Sequence, residues 1–382
     1  MSSGPRVLLA GGGSAGHVNP LLAVAAHLRD RGMRVEALGT DTGLETDLVP
    51  QAGLTLHTIA KVPAPRGLNA TALTFVPKLK ATVDDVERII RTTGVEAIVG
   101  FGGYVSAPAY LAAKRHGIPF AIHEQNARPG LANRLGARWA NIVGLTFEQT
   151  KLEAKRGITD VVGLPLRREI EELAVARRDP RAREDARREA ARELGIDPTR
   201  PTLLITGGSL GAQRLNDVLS ASAGCFGADI QVLHLTGKGK TDGVEKTVRT
   251  SGFSGTWKVF DYAHNMAAML AAADLVVCRA GAGTVSELTA LGMPAIYVPL
   301  PIGNGEQKLN AHAHVKSGGA MVFDNADFVE KIVQLYIAPL IASPHRLEKM
   351  SVASSQLGRI DAAARMAELT ESLLESNPQV IQ

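Results

Sequence analysis

Short apolar segments alternate along the chain with longer stretches in which apolar residues recur at helical spacing. The apolar segments read VLLA, RVEALG, EAIVGF, FAIHE and NIVGLT in the first half, and TLLITGG, IQVLHLTG, TWKVFDY, LVVCRAG and PAIYVPL in the second. Strands separated by helices of this length are typical of parallel sheets covered by helices on both faces. The pattern therefore predicts an α/β fold.

A strongly charged segment, EIEELAVARRDPRAREDARREAARELGID, interrupts this alternation at 169–197. Its charges recur at the spacing of helical ion pairs, so we expect exposed helices here and no strand. The segment marks the boundary region between two domains, which we place at 1–163 and 164–352. A last helical pattern at about 353–376 is expected to pack back near the first domain.

The composition argues against several classes of protein. A chain of 382 residues with 45% hydrophobic and 21% charged residues can form two buried cores. Its two cysteines, Cys225 and Cys278, argue against a disulfide framework or a thiolate metal site and favour a reducing compartment. No apolar stretch of the sequence approaches the roughly 18 residues of a membrane-spanning helix. With a net charge of +4 and 4% aromatic residues, nucleic acid is not expected as a partner.

Each half opens with a strand, a glycine-rich turn and a helix. In the first half the turn reads GGGSAGHVN at 11–19, and Asn19 is expected to cap a helix that begins at Pro20. In the second half GGSLGA follows a strand at 207–212. Such turns present backbone N–H groups at positive helix ends, so two of them in equivalent places favour phosphate binding over tight connections alone.

The first turn also satisfies the dinucleotide-binding pattern G-x-G-x-x-G at Gly11, Gly13 and Gly16, and Glu36 or Asp41 lies near the position of a ribose-binding acid. A proline at position 20 delays the helix that this pattern requires. A dinucleotide enzyme also has no evident need for further glycine turns in the second half. We therefore favour a different nucleotide ligand.

A third turn, RAGAG at 279–283, precedes a helix that we expect to start at Thr284. Thr284 and Glu287 have the spacing of a capping box. Alternatively, the Glu287 carboxylate accepts hydrogen bonds from the two hydroxyls of a ribose at the carboxyl ends of the strands. The residues alone leave both interpretations open.

The motifs GGGSAGH, GFGGYVSAPAYLAAKRHGIPFAIHEQNARPGLANR, GGSLGAQRLN, CRAGAGTVSEL and VPLPIGNGEQKLNA occur in this order over nearly the whole chain. Together they resemble the MurG family, the inverting glycosyltransferases of bacterial peptidoglycan synthesis. The resemblance implies two Rossmann-like domains facing a cleft, of the GT-B type. It implies transfer of N-acetylglucosamine from UDP-N-acetylglucosamine (UDP-GlcNAc) to the 4-hydroxyl of the muramoyl sugar of undecaprenyl-diphospho-MurNAc-pentapeptide (lipid I), giving lipid II. It also implies a peripheral enzyme at the cytoplasmic face of the plasma membrane. Cell-wall synthesis proteins are possible partners of such an enzyme.

The same resemblance carries over the donor contacts residue by residue. It places UDP-GlcNAc mainly in the second domain, with Glu287 on the ribose, Gln307 on the sugar hydroxyls and the backbone of Ala263 on the uracil edge. Arg167 and Ser209 match diphosphate-side contacts. The remaining matched donor positions are Ser14, Ala15, Gly16, Asn126, Ala282, Gly283, Thr284, Val285 and Ser286.

Transfer with inversion needs a general base near neutral pKa beside the acceptor hydroxyl. His17, at the lip of the first glycine turn, is the leading candidate, and Glu124 and His123 in FAIHE are the alternatives. Another role stays open for His17, which could bind an acceptor phosphate or order the loop. For His123 a backbone contact at the strand end stays open.

The acceptor diphosphate is assigned to two glycine turns, at Gly12, Gly13, Gly102, Gly103 and Tyr104.

The sequence contains no D-x-D motif and no His, Cys or Asp cluster with ligand spacing, so no metal site is predicted and no cofactor is required. A divalent cation that arrives with the substrate stays open. Two other functions stay open on the same scaffold, a UDP-GlcNAc epimerase and a non-catalytic nucleotide-sugar binding protein.

An apolar segment bordered by cations, PRGLNATALTFVPKLKATVDD, occupies 65–85. Its apolar residues Leu73, Phe75 and Leu79 lie beside Lys78 and Lys80, which suits contact with an anionic membrane surface. The alternative is a helix face that packs into the core of the first domain.

Overall fold

The computed structural model describes residues 4–63, 70–208, 210–301 and 304–375, without the side chains of residues 70–73. The chain divides into two units, Met1–Arg167 with Ile360–Gln382, and Arg168–Arg359. The sequence placed this boundary at 163 and assigned the closing helix to the first domain from about 353.

The first unit contains seven strands, which are β1 (Arg6–Ala10), β2 (Arg34–Gly39), β3 (Thr55–Thr58), β4 (Ala97–Gly100), β5 (Phe120–Glu124), β6 (Ile142–Leu145) and β7 (Ile158–Val161). They form one parallel sheet in the order β3-β2-β1-β4-β5-β6-β7. Alternate residues of β1 face opposite sides, since Val7 and Leu9 lie in one apolar core and Leu8 and Ala10 in another. Both faces of the sheet are therefore covered.

The second unit contains six strands, which are β8 (Thr202–Thr206), β9 (Gln231–Leu235), β10 (Thr256–Phe260), β11 (Leu275–Cys278), β12 (Ala295–Tyr297) and β13 (Ala320–Val322). They form a second parallel sheet in the order β10-β9-β8-β11-β12-β13. Leu203, Ile205 and Val277 belong to the core that packs on this sheet. The expected fold class is confirmed, because each unit is a parallel sheet wound by helices in the Rossmann-like manner.

The helices are α1 (Ala15–Asp30), α2 (Glu45–Gln51), α3 (Ala70–Thr93), α4 (Ser106–His116), α5 (Leu131–Gly136), α6 (Arg168–Ala176), α7 (Pro180–Leu194), α8 (Gln213–Ala221), α9 (Thr241–Thr250), α10 (Met266–Ala272), α11 (Ala282–Ala290), α12 (Glu306–Lys316), α13 (Glu330–Ile332), α14 (Ala338–Ile341), α15 (Pro344–Ser355) and α16 (Ala362–Glu375). Short 3₁₀ and π segments occur at Ala223–Cys225 and Val333–Ile337. Helices α6 and α7 occupy the charged segment, as expected. Helix α16 buries Met366 in the core of the first unit, and its Glu371 pairs at 2.8 Å with Arg31, the C-cap of α1.

The start of α1 differs from the prediction. The carbonyl of Ser14 accepts hydrogen bonds from His17 and Val18 at 3.0 and 3.1 Å, so Ser14 is the N-cap and Asn19 is not. Pro20 lies inside the helix, where its missing N–H removes one bond. Among the described residues, no helix combines the length and apolarity that crossing a bilayer requires.

Candidate functional site

Three of the predicted motifs follow neighbouring strands of the first sheet. The glycine turn at 11–14 follows β1, the turn at 101–104 follows β4, and Gln125 follows β5. Because β1, β4 and β5 are adjacent and parallel, their carboxyl ends bring these turns together at one edge of the sheet. This edge is the usual ligand-binding edge of such a sheet.

His17 lies in the first turn of α1, half-buried beneath these loops. Its Nδ1 lies 3.1 Å from the Gly12 carbonyl oxygen and 3.1 Å from the Ser14 hydroxyl. A carbonyl only accepts, so Nδ1 carries the proton and Nε2 keeps a free lone pair. Nε2 faces the second turn, where a Cβ added to Gly102 would lie 3.2 Å from it. Burial, opposed by the Gly12 carbonyl and the charge of Glu45, lowers the pKa of His17 below its usual value. The neutral form that a general base requires is thus favoured.

A buried carboxylate that the sequence analysis did not single out lies under the same loop. Glu45 accepts hydrogen bonds from the Gly13 amide at 2.8 Å, the Thr40 amide at 2.9 Å and the Thr40 hydroxyl at 2.7 Å. Burial raises the pKa of Glu45, but these bonds outweigh it and hold the pKa below its usual value. Side chains at three surrounding glycines would come within 2.6 Å of Glu45: Gly12, Gly39 and Gly43. The Gly13 amide is therefore engaged and not available to a phosphate.

The second turn keeps its amides available. Gly102 and Gly103 have positive φ of 88° and 81°, a conformation that glycine adopts at no steric cost. Among the residues that the structure describes, nothing accepts a hydrogen bond from the amides of Gly102, Gly103 or Tyr104. Lys61 Nζ lies 5.1 Å from the centre of the exposed Tyr104 ring. Consecutive free amides beside a cation form an arrangement suited to an anion.

The two alternative bases are both buried and fully engaged. The Nε2 of His123 bonds the Gly163 carbonyl at 2.8 Å, and burial lowers the pKa of His123 to about 4. The Glu124 carboxylate accepts from the Asn126 amide, the Gly130 amide and the Asn133 side chain at 2.9–3.0 Å. Burial raises the pKa of Glu124. The Glu124 contacts hold the loop after β5, and the His123 contact reaches the segment that follows β7.

The other donor positions of the first unit are spread around the same edge. Ser14 and Gly16 are exposed and Ala15 is half-buried at the start of α1. Asn126 and Arg167 are half-buried, and Arg167 ends the first segment of the unit, Met1–Arg167.

In the second unit the carboxyl ends of the adjacent strands β8 and β11 carry the other two glycine turns. Gly211 has φ +68° and packs so tightly that an added Cβ would lie 1.9 Å from the Thr236 carbonyl oxygen. Ser209 lies outside the described residues.

The start of α11 corrects a second prediction. The helix begins at Ala282 with Gly281 as its N-cap, so Thr284 is the third helical residue and Glu287 lies in the second turn. Thr284 and Glu287 therefore form no capping box. Because Gly281 adopts the extended N-cap conformation without a side chain, the amides of residues 282–284 have no acceptor among the described residues. Val285 is buried while Ser286 and Glu287 are half-buried.

Gln307 and Ala263 border the same end of the second sheet. Gln307 Oε1 accepts from the amides of Ala280 and Leu300 at 3.2 and 2.9 Å. Its Nε2 donates to nothing within the described part of the chain. The backbone N–H and C=O of Ala263 also have no partner there. Both groups are thus available to a ligand.

The first turns of α3 contain the proposed membrane residues. Phe75 and Leu79 are half-buried and continue, at four-residue spacing, the stripe of the buried Val83. Lys78 and Lys80 are exposed. The side chain of Leu73 lies outside the described residues. Within the described ranges, no group of three or more His, Cys, Asp or Glu residues is placed to hold a metal ion.

Comparison with known proteins assigns the chain to a family. The glycosyltransferase family 28 N-terminal domain matches residues 7–145, and the family 28 C-terminal domain matches residues 202–366. The chain is 47% identical to the UDP-N-acetylglucosamine--N-acetylmuramyl-(pentapeptide) pyrophosphoryl-undecaprenol N-acetylglucosamine transferase of Bifidobacterium adolescentis, over 98% of this chain and 99% of that protein. It is 49% identical to the protein of the same name from Clavibacter sepedonicus, over 97% of each. A crystal structure of Acinetobacter baumannii MurG superposes with a TM-score of 0.77 at 28% identity, over 96% of this chain and 99% of that one. The chain belongs to the MurG family.

In this member of the MurG family, the glycine turns follow β1, β4, β8 and β11 at the carboxyl ends of the two sheets. Sequence patterns did not predict Glu45, Asn133 or Tyr110, whose hydroxyl donates to Asn133 Oδ1 at 2.8 Å. In the sequence, Glu45 is an acidic residue close to Gly39 and Gly43. No known motif spacing connects it with Gly13. Such support residues become visible only when the strands are paired.

Proposed function

We propose that this chain transfers N-acetylglucosamine from UDP-GlcNAc to the 4-hydroxyl of the muramoyl sugar of lipid I, with inversion, giving lipid II and UDP. The observation that carries the proposal is the position of His17, whose Nδ1 is fixed on the Gly12 carbonyl while Nε2 faces the turn at 102–104. The relatives named above, at 47–49% identity, support the choice of substrates.

In the proposed reaction His17 acts as the general base. Nε2 accepts the proton of the 4-hydroxyl while that oxygen attacks the anomeric carbon from the face opposite UDP. The bond between the anomeric carbon and the β-phosphate oxygen breaks, and UDP leaves with its electron pair. The imidazolium that forms is stabilised by the Nδ1–H bond to Gly12 and by the charge of Glu45.

The acceptor diphosphate binds at the second glycine turn in this proposal. The amides of Gly102, Gly103 and Tyr104 supply donors, and Lys61 supplies a charge nearby. The sequence also assigned Gly12 and Gly13 to this role. We now restrict it to the second turn, because Gly13 donates its N–H to Glu45.

The donor binds at the carboxyl edge of the second sheet. The positive end of α11, with the free amides of residues 282–284, faces the diphosphate charge, and Arg167 and Ser209 are assigned to the same group. Glu287 bonds the ribose hydroxyls, and Gln307 donates from Nε2 to the sugar. The backbone of Ala263 reads the uracil edge. A divalent cation that arrives with the substrate stays an open alternative, and turnover measured with and without a chelator tests it.

The enzyme works on the cytoplasmic face of the membrane, in contact with anionic lipid through the first turns of α3. Lys78 and Lys80 are exposed there, as is Val76, with 69% of its surface accessible. This arrangement brings charge and apolar surface to one helix end.

The test is UDP release from UDP-GlcNAc with and without a lipid-diphosphate-muramoyl acceptor. We expect release only when the acceptor is present. Turnover without acceptor would favour an epimerase, and no turnover in either case would favour a nucleotide-sugar binding protein.

A further inference from the structure

A second site in the C-terminal unit lies at the end of the sheet opposite the glycine turns. It is a cavity of about 280 Å³, lined by Pro201, Asp274 and Pro294, which directly precede β8, β11 and β12. Since β8 has five residues and a strand rises about 3.3 Å per residue, the cavity lies roughly 17 Å from the turn after β8. It is therefore separate from the proposed donor site.

Three arginines line this cavity, and one of them is neutralised. Arg187 binds the Asp274 carboxylate with two nitrogens, at 2.7 and 2.9 Å. Asp274 also accepts from the Thr202 amide at 2.8 Å. This bidentate pair fixes α7 to the sheet and leaves the Asp274 charge already balanced.

The other two arginines have unused donors. Arg177 Nε bonds the Leu291 carbonyl at 2.8 Å. Among the residues that the structure describes, nothing accepts from the terminal nitrogens of Arg177 or from the Arg183 guanidinium. Burial and the positive charges of Arg183 and Arg187 lower the pKa of Arg177 to about 10, although the charge of Asp274 opposes this shift. The remaining acid of the lining, Glu348, is exposed on α15. The cavity thus has an excess of positive charge and of forked donors.

We propose that this cavity binds a small phosphate-bearing anion, with Arg177 and Arg183 as its ligands. Guanidinium groups match phosphate oxygens in charge and planar geometry. The cavity volume of about 280 Å³ is just below the range of about 300–1,000 Å³ for pockets that bind drug-sized ligands. A cavity of this size suits inorganic phosphate, pyrophosphate or a single headgroup and not a nucleotide sugar. The inference does not depend on the proposed reaction.

The test uses the full chain with UDP in excess, so that the donor site is filled, and titrates inorganic pyrophosphate by calorimetry. We expect binding, weakened roughly 10- to 100-fold by Arg183→Gln, the range for losing charged hydrogen bonds. Arg181→Gln is the matched control, because Arg181 is an exposed arginine of the same helix outside the cavity. Equal affinity in these two variants, or no binding by the wild type, would overturn the proposal.

A second arm identifies the source of the phosphate. Vesicles that contain phosphatidylglycerol are sedimented with the wild type, Arg183→Gln and Arg181→Gln. Pyrophosphate binding lost in Arg183→Gln identifies a free anion, and vesicle binding lost only in that variant identifies a lipid headgroup. An Arg183→Gln protein with unchanged melting temperature and unchanged binding to both probes excludes the site.

Discussion

His17 is a single side chain whose two ring nitrogens have different roles, and its replacement separates them. His17→Gln keeps the size of the side chain and removes the proton-accepting Nε2. We expect kcat to fall about 10²- to 10⁴-fold, with the KM for UDP-GlcNAc nearly unchanged. His27→Gln, on the same helix, is the matched control and should keep full turnover. A His17→Gln enzyme with normal kcat would remove the base from this residue.

The pH dependence follows from the same imidazole. The base is active when neutral, and burial lowers the pKa of His17 below 6.5. Full kcat/KM is therefore present at neutral pH and is lost as the pH falls through this lowered pKa. The measurement is kcat/KM of the wild type between pH 4.5 and 8, roughly the window in which histidine titrates. An acid limb centred above 6.5 would contradict the assignment.

Glu45 acts on His17 through the loop and through its charge. Glu45→Gln replaces one acceptor oxygen by an N–H donor against the Gly13 or Thr40 amide, so we expect about 1–3 kcal/mol lower free energy of unfolding. Because the Glu45 charge raises the pKa of His17, its removal should also move the acid limb of kcat/KM to lower pH. Urea unfolding and the pH profile measure the two effects. Asp47→Asn, an exposed acid on the same helix, should change neither.

At the scale of elements, the start of α11 allows a role of Glu287 in donor binding to be tested apart from a role in helix capping. Gly281 is the N-cap, so Thr284 and Glu287 form no capping box at the helix start. We expect Glu287→Gln to weaken UDP-GlcNAc binding by about 1–3 kcal/mol, the range for losing charged hydrogen bonds, with little change in melting temperature. Calorimetric titration and thermal unfolding of one preparation measure both. A lower melting temperature at unchanged donor affinity would point to a structural role.

The sequence predicted the central strands and one edge strand, β10, and missed the other three edge strands. Strands β3, β7 and β13 lie at sheet edges and are only partly buried. Polar residues interrupt β3 (TLHT) and β7 (ITDV), and β13 is apolar but only three residues long, so none matches the apolar run that identified β1 or β8. The predicted starts of α1 and α11 were also wrong. Asn19 and Thr284 are good capping residues, but the loops close earlier because Ser14 and Gly281 already adopt extended N-cap conformations. Strand order then decides which loops meet, as for Glu45 and Gly13.

At the scale of the whole molecule, the remaining question is how a chain in which the described residues contain no membrane-spanning helix reaches a lipid-linked acceptor. Phe75 and Leu79 follow the core stripe of α3, so replacing them would mix folding with membrane contact. Val76, Lys78 and Lys80 are exposed and test the surface itself. Each lysine near an anionic bilayer contributes about 1 kcal/mol, so two of them change binding by roughly 30-fold.

We therefore expect the wild type to float with anionic liposomes at low salt, and less so as salt shortens the Debye length from about 30 Å at 0.01 M to 10 Å at 0.1 M. The triple variant Val76→Ser, Lys78→Gln and Lys80→Gln should float poorly and turn over full-length lipid acceptor slowly, while it keeps turnover on a short-chain soluble analogue. Lys246→Gln with Lys331→Gln removes two exposed charges from the second unit and should float like the wild type. Equal flotation of both variants would contradict the assignment of the membrane contact to the first turns of α3.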